Sequence, residues 1–472
     1  MRSASLRTLA QNDPSVSRPR FGSWYEPLRP GIRYSSGEVV APADFLRAFE
    51  RGWRFDAIDY TDLYGGLVGA KACGSDPGTC DLSEGIVSDD ASRTITFHLV
   101  APDPEFVYKL TIPFALPVPP VPDEEQVAAG VPGTGPYMLE APTTDQGLTL
   151  VRNPNFRVWS PAARPDGYVD RIELSFGVEP EAQIEAVAGG RADLAFDQAN
   201  APKRLEDLFV RFPAQVHTSP FPGTWFAVLN TQVPPFDNVD VRRAMNLALD
   251  RDRIVQIFGG EAAARPTCQQ LPPNYPGYEP YCPYTSSPGP GGEGSWSGPD
   301  MQEALRLVRR SGTAGSRVVV KLHPYFPVPL GDYMVELLDK LGYAGRVEQV
   351  DTPSHFYSAD LEFQVATDVW ASDYPAASNF ITNRFTCDSS YPPSARFCDP
   401  RIDAMIDRAT QMQIDDPAAA GALWAEIDRA IVDKAPYVWL INPIAVEFVS
   451  KRVGNYQYSQ EWGSLLDQMW VR

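Results

Sequence analysis

The sequence predicts an α/β protein of two or three domains, and three observations support this fold class. The chain has 472 residues, 43% of them hydrophobic, which is enough to bury a core in more than one domain. A helix predicted over 181–187, a Gly189-Gly190 C-cap and a strand over 192–196 follow one another, as is typical of an α/β lobe. The 46 Pro and 35 Gly are spread through aromatic-rich segments, where they indicate turns in a loop-rich fold.

The helices are predicted from apolar residues at helical spacing and from residues suited to helix ends. Phe45 and Phe49 have this spacing, and Asp44 lies in the first turn, where a carboxylate suits the helix dipole. Asp300 and Glu303 form a capping box at the start of another helix. The predicted helices cover residues 42–50, 181–187, 241–249, 300–308, 333–341, 400–409 and 420–433.

The strands are predicted from alternating patterns and from short apolar runs bounded by turn residues. Residues 92–99 alternate between apolar and polar side chains, as in a half-buried strand. The predicted strands cover residues 92–99, 137–139, 148–152, 172–176, 192–196, 225–230, 318–322, 437–441 and 445–449. Residues 270–298 form a long predicted loop, and the Pro-rich residues 116–122 are expected to cross between domains.

The charge of the chain argues against two classes of binding partner. Sixty acidic and 41 basic residues give a net charge of −19. General nucleic-acid binding and binding to anionic membranes both need clustered Lys and Arg. No run approaches the roughly 18 consecutive apolar residues of a membrane-spanning helix. We therefore expect no nucleic-acid partner and no spanning segment.

The six cysteines form three neighbouring pairs, which are Cys73 with Cys80, Cys268 with Cys282, and Cys387 with Cys398. An even count in close pairs predicts three short-loop disulfides and an oxidising compartment. The alternative is six separate thiols in a cytosolic protein. A zinc site is disfavoured, because the chain has no C-x-x-C motif and its four His lie far apart. The first 23 residues lack the apolar core of a signal peptide.

Motifs of the common enzyme classes give no support for catalysis. Gly289-x-Gly291-x-x-Gly294 fits the dinucleotide fingerprint, but it lies in a Pro, Ser and Gly loop with no strand before it. The chain contains no G-x-S-x-G, H-E-x-x-H or G-K-[ST] motif. A pair of carboxylates suited to acid–base chemistry could still form in the fold without a sequence signal. We predict no enzyme activity, no catalytic residue, no cofactor and no metal.

Several short segments follow one another in a distinctive order. Residues 133–137 read GTGPY, and residues 370–375 read WASDYP. The other segments are LRPGIRYSSGE at 28–38, TFHL at 96–99, PDPEF at 102–106, RNPNF at 152–156, GGRADLA at 189–195 and the stretch 230–251. In this order they resemble family 5 of the extracellular solute-binding proteins, the receptors of oligopeptide, dipeptide and nickel ABC importers. The resemblance covers residues 28–449, and no single segment carries it.

The resemblance implies a periplasmic-binding-protein type II fold, with two lobes joined by a hinge and a small additional domain. The expected parts are a poorly ordered segment at 1–27, the additional domain at 28–122, lobe I at 123–250, lobe II at 251–440 and a C-terminal return to lobe I at 441–472. The family normally has a further stretch before the LRPG-like segment. We therefore expect this chain to lack the first strand of lobe I and a signal peptide.

The resemblance also implies a ligand site. In peptide-binding members the Asp of the W-x-x-DY segment pairs with the ligand's α-ammonium, and this role carries over to Asp373, because a buried ammonium needs a carboxylate partner. The predicted ligand-binding residues are Asp373, Trp370, Ser372, Tyr374, Trp225 and Phe226, with the aromatic residues as walls for apolar side chains. The alternatives are that Asp373 caps a turn and that these aromatic residues belong to the core. The family's second acidic residue in this segment is absent, since Ala376 and Ala377 follow Pro375.

The implied function is capture of a peptide or other small solute, without chemistry, for the permease subunits of an ABC importer. The resemblance places such a receptor outside the cytoplasm as a monomer, with membrane contact only through a missing anchor or the permease. The alternative is a ligand-sensing domain severed from a larger signalling or transcription-regulator chain. A hydrolase has no motif to support it.

Overall fold

The structure is a computed structural model that describes residues 23–55, 57–120, 130–161, 165–196, 202–358, 361–389 and 391–472. The chain forms two compact units. One extends to Glu179 and also includes Lys451–Arg472, and the other is Pro180–Ser450. Helices and sheets occur in both units, which confirms the predicted α/β class. Within the described part of the chain, no helix combines the length and the apolar character that crossing a membrane requires.

The first unit is built on two three-stranded antiparallel sheets, with strand orders β1-β3-β2 and β4-β5-β6. Its strands are β1 Ser23–Pro27, β2 Ile86–Asp89, β3 Thr94–His98, β4 Tyr137–Leu139, β5 Gly147–Arg152 and β6 Arg171–Ser175. Its helices are α1 Ala43–Phe55, α2 Ala57–Tyr64, α3 Ala70–Ser75 and α4 Phe106–Lys109. Phe45, Phe49 and Trp53 of α1 are fully buried, so this helix supplies much of the unit's aromatic core.

The second unit is built on one eight-stranded mixed sheet. Along this sheet the order is β10-β14-β9-β13-β11-β12, and β7 and β8 also pair with β14. Its strands are β7 Leu194–Ala195, β8 Val216–Pro220, β9 Gly223–Leu229, β10 Ala264–Pro266, β11 Arg317–Leu322, β12 Ala344–Gln349, β13 Val365–Ala371 and β14 Tyr437–Val449. β13 pairs antiparallel with β9 and parallel with β11, so it lies in the interior of the sheet.

Helices cover both faces of this sheet. They are α5 Pro180–Ala188, α6 Pro202–Arg211, α7 Val239–Ala248, α8 Arg251–Ile257, α9 Met301–Ser311, α10 Val328–Lys340, α11 Pro353–Phe356, α12 Ala377–Phe385, α13 Pro400–Asp415 and α14 Pro417–Lys434. One core cluster contains Met245, Val308 and Leu338, and a second contains Phe226, Phe380 and Trp424. The short strands β15 Val453–Gly454, β16 Tyr458–Ser459, β17 Gly463–Ser464 and β18 Trp470–Val471 end the chain in the first unit.

Every predicted helix and strand overlaps one in the structure. The predicted capping box is present, because Asp300 caps α9 and its side chain accepts a hydrogen bond from the Glu303 N–H at 2.9 Å. The two strands predicted at 437–441 and 445–449 are one continuous strand, β14.

The prediction that residues 1–27 are poorly ordered is wrong for residues 23–27, because they pair with β3. Residues 1–22 lie outside the described residues. Part of the predicted Pro-rich crossing, residues 121 and 122, also lies outside them. The compact units divide after Glu179 and after Ser450, away from the predicted boundaries at 122, 250 and 440. The assignment of ranges to lobes stays a prediction.

A buried carboxylate holds the start of the long 270–298 loop. Asp428 of α14 accepts hydrogen bonds from Gln269 Nε2 at 2.8 Å, from the Gln270 N–H at 3.1 Å and from the Leu271 N–H at 3.3 Å. Burial raises the pKa of Asp428 to about 6, although these hydrogen bonds oppose the shift.

We predict that Asp428 makes the stability of the protein fall as the pH rises from about 4 to about 6. The folded carboxyl keeps its proton in this window, whereas the unfolded carboxyl loses it near its ordinary pKa of about 3.9. The stabilisation is therefore fully present below about pH 4 and is lost as the pH passes the folded value of about 6. Relative to Asp428→Asn, the wild-type free energy of unfolding should drop by roughly 1.4 kcal/mol per pH unit within this window.

Denaturant unfolding of both proteins at several pH values measures this difference. Other titrating groups are common to the two proteins and cancel in the comparison. A difference that stays constant between pH 4 and 6 would contradict the prediction.

Candidate functional site

The predicted ligand segment, residues 370–375, joins an interior strand to a helix. β13 ends at Ala371, and α12 begins at Ala377. The Ser372 N–H donates to the carbonyl of Pro222 at 2.9 Å, and the Ala376 N–H donates to the carbonyl of Tyr374 at 2.8 Å. These hydrogen bonds continue the pairing with β9 past the end of the strand and close the turn before the helix.

Asp373 presents an exposed carboxylate that is held by Asn379 of α12. Asp373 Oδ2 accepts a hydrogen bond from Asn379 Nδ2 at 2.9 Å. In return, the Asp373 N–H donates to Asn379 Oδ1 at 3.1 Å. An exposed carboxylate held from behind by a buried amide is able to pair with a cationic group of a ligand.

Trp370 and Tyr374 are mostly buried, with 8% and 6% of their surfaces exposed. The Trp370 Nε1–H donates to Asn379 Oδ1 at 3.2 Å. The Trp370 ring meets the Tyr391 ring edge to face at 5.2 Å between centres, and Arg384 Cζ lies 4.7 Å from the Trp370 ring centre. Packing within the unit therefore holds Trp370, and its predicted role as a wall for ligand side chains stays a prediction.

Trp225 and Trp370 do not face the same side of the sheet. The register sets Trp225 opposite Val369 and Thr224 opposite Trp370, and residues opposite each other share a face. Trp225 is half-buried against Phe258, with ring centres 4.8 Å apart. The two predicted aromatic walls therefore lie on opposite faces.

Phe226 is a core residue, so its prediction as a lining residue is wrong. Its side chain is fully buried and stacks on Tyr437 with ring centres 4.4 Å apart. The register sets Phe226 opposite Asp368, on the same face as Trp370. The physical reason is packing, since the core cluster that contains Phe226, Tyr437 and Phe380 shields its ring from solvent.

A buried polar network connects β13 to α12. Asp368 Oδ2 lies 3.0 Å from Arg384 Nη1, and both side chains are almost completely shielded from solvent. Tyr357 donates its hydroxyl proton to Asp368 Oδ1 at 3.1 Å. Burial raises the pKa of the Asp368 carboxyl, and the Arg384 charge opposes this shift. The pairing of these two charges ties the strand to the helix.

His323 extends this network as a neutral donor. Its Nδ1 accepts a hydrogen bond from the Tyr325 N–H at 3.1 Å, so the ring proton belongs on Nε2, which lies 3.2 Å from the Tyr357 hydroxyl. Burial lowers the pKa of His323 to about 4, which keeps the ring neutral at neutral pH.

Two disulfide-closed loops place a tyrosine on the predicted ligand segment or next to it. Tyr275, in the loop closed by Cys268–Cys282, shares a hydrogen bond between its hydroxyl and Ser372 Oγ. The Tyr275 ring also meets the Phe380 ring edge to face at 5.0 Å. Tyr391, in the loop closed by Cys387–Cys398, contacts Trp370 as described above.

All three predicted disulfides are present, including Cys73–Cys80 in the first unit. Among the described residues, no three His, Cys, Asp or Glu side chains are grouped so that they could hold a metal ion. Four residues that hold the segment were not predicted from the sequence, namely Asn379, Arg384, Tyr275 and Tyr391. A usable signal existed for the two tyrosines, since each lies between paired cysteines.

Comparisons with known proteins agree with this architecture. The family model described as bacterial extracellular solute-binding proteins, family 5 Middle, matches residues 23–392. A "Probable di/tripeptide-binding protein 5" from Pseudomonas aeruginosa is 26% identical over 386 residues, which are 79% of this chain and 69% of that protein. The "Periplasmic oligopeptide-binding protein OppA" from Salmonella typhimurium is 24% identical over 457 residues, which are 92% of this chain and 79% of that protein.

A solved structure shows the same fold. The structure of Haemophilus influenzae OppA in complex with RPPGFSPFR superposes with a TM-score of 0.74 at 20% identity. The superposition covers 99% of this chain and 90% of that one. This likeness confirms the predicted periplasmic-binding type of α/β fold.

We predict that the Cys268–Cys282 bridge orders the ligand segment through Tyr275. The bridge joins residues separated by 14 positions, and a closed loop of this size contributes roughly 3 kcal/mol to stability in the chain-entropy model. The double variant Cys268→Ser/Cys282→Ser should therefore lose stability and exchange its amide hydrogens faster over residues 370–380.

Hydrogen exchange with mass spectrometry measures both effects. The matched control is Cys73→Ser/Cys80→Ser, which removes a bridge from the first unit and should leave exchange over 370–380 unchanged. Equal exchange of this segment in wild type and in the Cys268→Ser/Cys282→Ser variant would show that the bridge does not order it.

Proposed function

This chain belongs to family 5 of the bacterial extracellular solute-binding proteins, and we propose that it captures peptides outside the cytoplasm for an ABC importer. The similar proteins described above carry the names of di/tripeptide-binding and oligopeptide-binding proteins, and one of them is seen with a nine-residue peptide. The family is one of solute-binding receptors, so no reaction is assigned to the chain.

The observation that carries the proposal is the exposed carboxylate of Asp373 held by buried Asn379. A peptide presents a free α-ammonium, and enclosing that charge requires a carboxylate partner. Asp373 lies in the segment that matches the family pattern in which this Asp binds the ammonium. Asp373 is therefore assigned as the ammonium anchor.

The remaining parts of the proposal concern partners and compartment. The permease subunits of an ABC importer would receive the bound peptide, and the receptor would act as a monomer. An extracytoplasmic location agrees with the three disulfides, because such bridges persist in oxidising compartments.

We predict that Asp373→Ala weakens the binding of a short peptide with a free amino terminus, such as tri-alanine. Loss of one hydrogen bond between charged groups costs about 1.5–3 kcal/mol, which corresponds to roughly 10- to 150-fold in affinity. Asp373→Asn should lose nearly as much, because the amide keeps the shape of the side chain but not its charge. Isothermal titration calorimetry measures these affinities.

The control variant is Asp351→Ala, which removes an exposed carboxylate that follows β12 of the same sheet. It should leave the affinity unchanged. A lower melting temperature in Asp373→Ala, rescued in Asp373→Asn and accompanied by wild-type affinity, would identify Asp373 as a turn-capping residue and refute the anchor role.

A further inference from the structure

We propose that Asn379 is a positioning residue that aims the Asp373 carboxylate at the ligand's ammonium group. The proposal rests on the proposed function of Asp373 and adds a second residue on which peptide affinity depends. Asn379 is buried, with 3% of its surface exposed, so it acts on the ligand only through its neighbours.

The hydrogen bonds of Asn379 fix the orientation of its amide. Two N–H groups that can only donate, Trp370 Nε1–H at 3.2 Å and the Asp373 backbone N–H at 3.1 Å, both point at Asn379 Oδ1. A flipped amide would set its NH₂ group against both donors. The oxygen must therefore face them, which leaves Nδ2 to donate to Asp373 Oδ2 at 2.9 Å.

The helix that carries Asn379 is itself immobilised. Arg384 lies five residues further along α12 and is paired with buried Asp368 of β13. Asn379 contacts Trp370, two residues after Asp368 on the same strand. Two attachments between one helix and one strand prevent the Asn379 side chain from following Asp373 if the carboxylate changes rotamer.

The consequence is a carboxylate that is set in one rotamer before the ligand arrives. A side chain ordered in advance loses less conformational freedom on binding, so more of the ion-pair energy appears as affinity. Asn379 also supplies Asp373 with a hydrogen-bond donor that stays in place when the ammonium binds. The same amide fixes Trp370, so the anchor and the neighbouring indole keep a constant spacing.

A double-mutant cycle tests the proposal. Calorimetry with tri-alanine compares Asn379→Ala and Asn379→Ser in two backgrounds, one with Asp373 and one with Asp373→Ala. With Asp373 present, each Asn379 variant should bind roughly 3- to 10-fold more weakly, the range expected for one hydrogen bond. With Asp373→Ala, neither Asn379 variant should weaken binding further.

The control is Asn230→Ala at the end of β9. Asn230 is also buried, with Nδ2 donating to the Phe363 carbonyl at 3.2 Å and Oδ1 accepting from the Gln232 N–H at 3.1 Å. This variant loses comparable hydrogen bonds and should keep wild-type affinity. Circular dichroism identifies variants that remain folded, and Asn379→Ser retains a small polar group in case Asn379→Ala does not fold.

Two outcomes would overturn the proposal and can be told apart. If Asp373→Ala weakens binding but the Asn379 variants weaken it equally in both backgrounds, the anchor stands and the positioning role is refuted. If Asp373→Ala leaves the affinity for tri-alanine unchanged, the anchor itself fails, and the positioning role fails with it.

Discussion

The candidate site depends on one buried ion pair, Asp368 with Arg384. Removing two charges from water is costly, and their attraction offsets this cost only where further contacts satisfy both groups. Tyr357 donates to Asp368, while the guanidinium carbon lies 4.5 Å from the Tyr391 ring centre and 4.7 Å from that of Trp370. Separating helix α12 from β13 would leave both charges unpaired in an apolar core. The ion pair therefore fixes the position of the helix on the strand. The first turn of the helix is fixed with it.

Strand alternation then decides which residues can belong to the site. Asp368 and Trp370 share one face of β13, and Val369 shares the other face with Trp225. The Trp225 face packs against Phe258 as ordinary core, whereas the Trp370 face carries the polar network. The sequence pattern alone does not show which aromatic residues share a face. That assignment requires the register of β9 against β13.

Every helix and strand predicted from the sequence is present, but several others were not predicted, and these include the two that carry the site. Helices such as α9 show an apolar stripe and a cap, and the cysteine spacing predicts each disulfide. β13 and α12 were not predicted, because their buried positions hold Asp368, Asn379 and Arg384 in place of apolar residues. Each of these side chains has its partner on another element of the fold. Asp373 was identified through the family resemblance, but nothing in the local sequence indicates that Asn379 supports it.

The two disulfide loops explain how single tyrosine contacts can order this segment. One hydrogen bond between Tyr275 and Ser372, or one edge-to-face contact between Tyr391 and Trp370, is worth no more than about 1.5 kcal/mol. In a loop of this length without a disulfide, the entropy cost of ordering the backbone would cancel this contact energy. A bridge removes much of this entropy from the unfolded chain, so the small contact energies are enough to keep each tyrosine in place. Loops, strand and helix thus hold the candidate site together, and Asp373 is exposed at its surface.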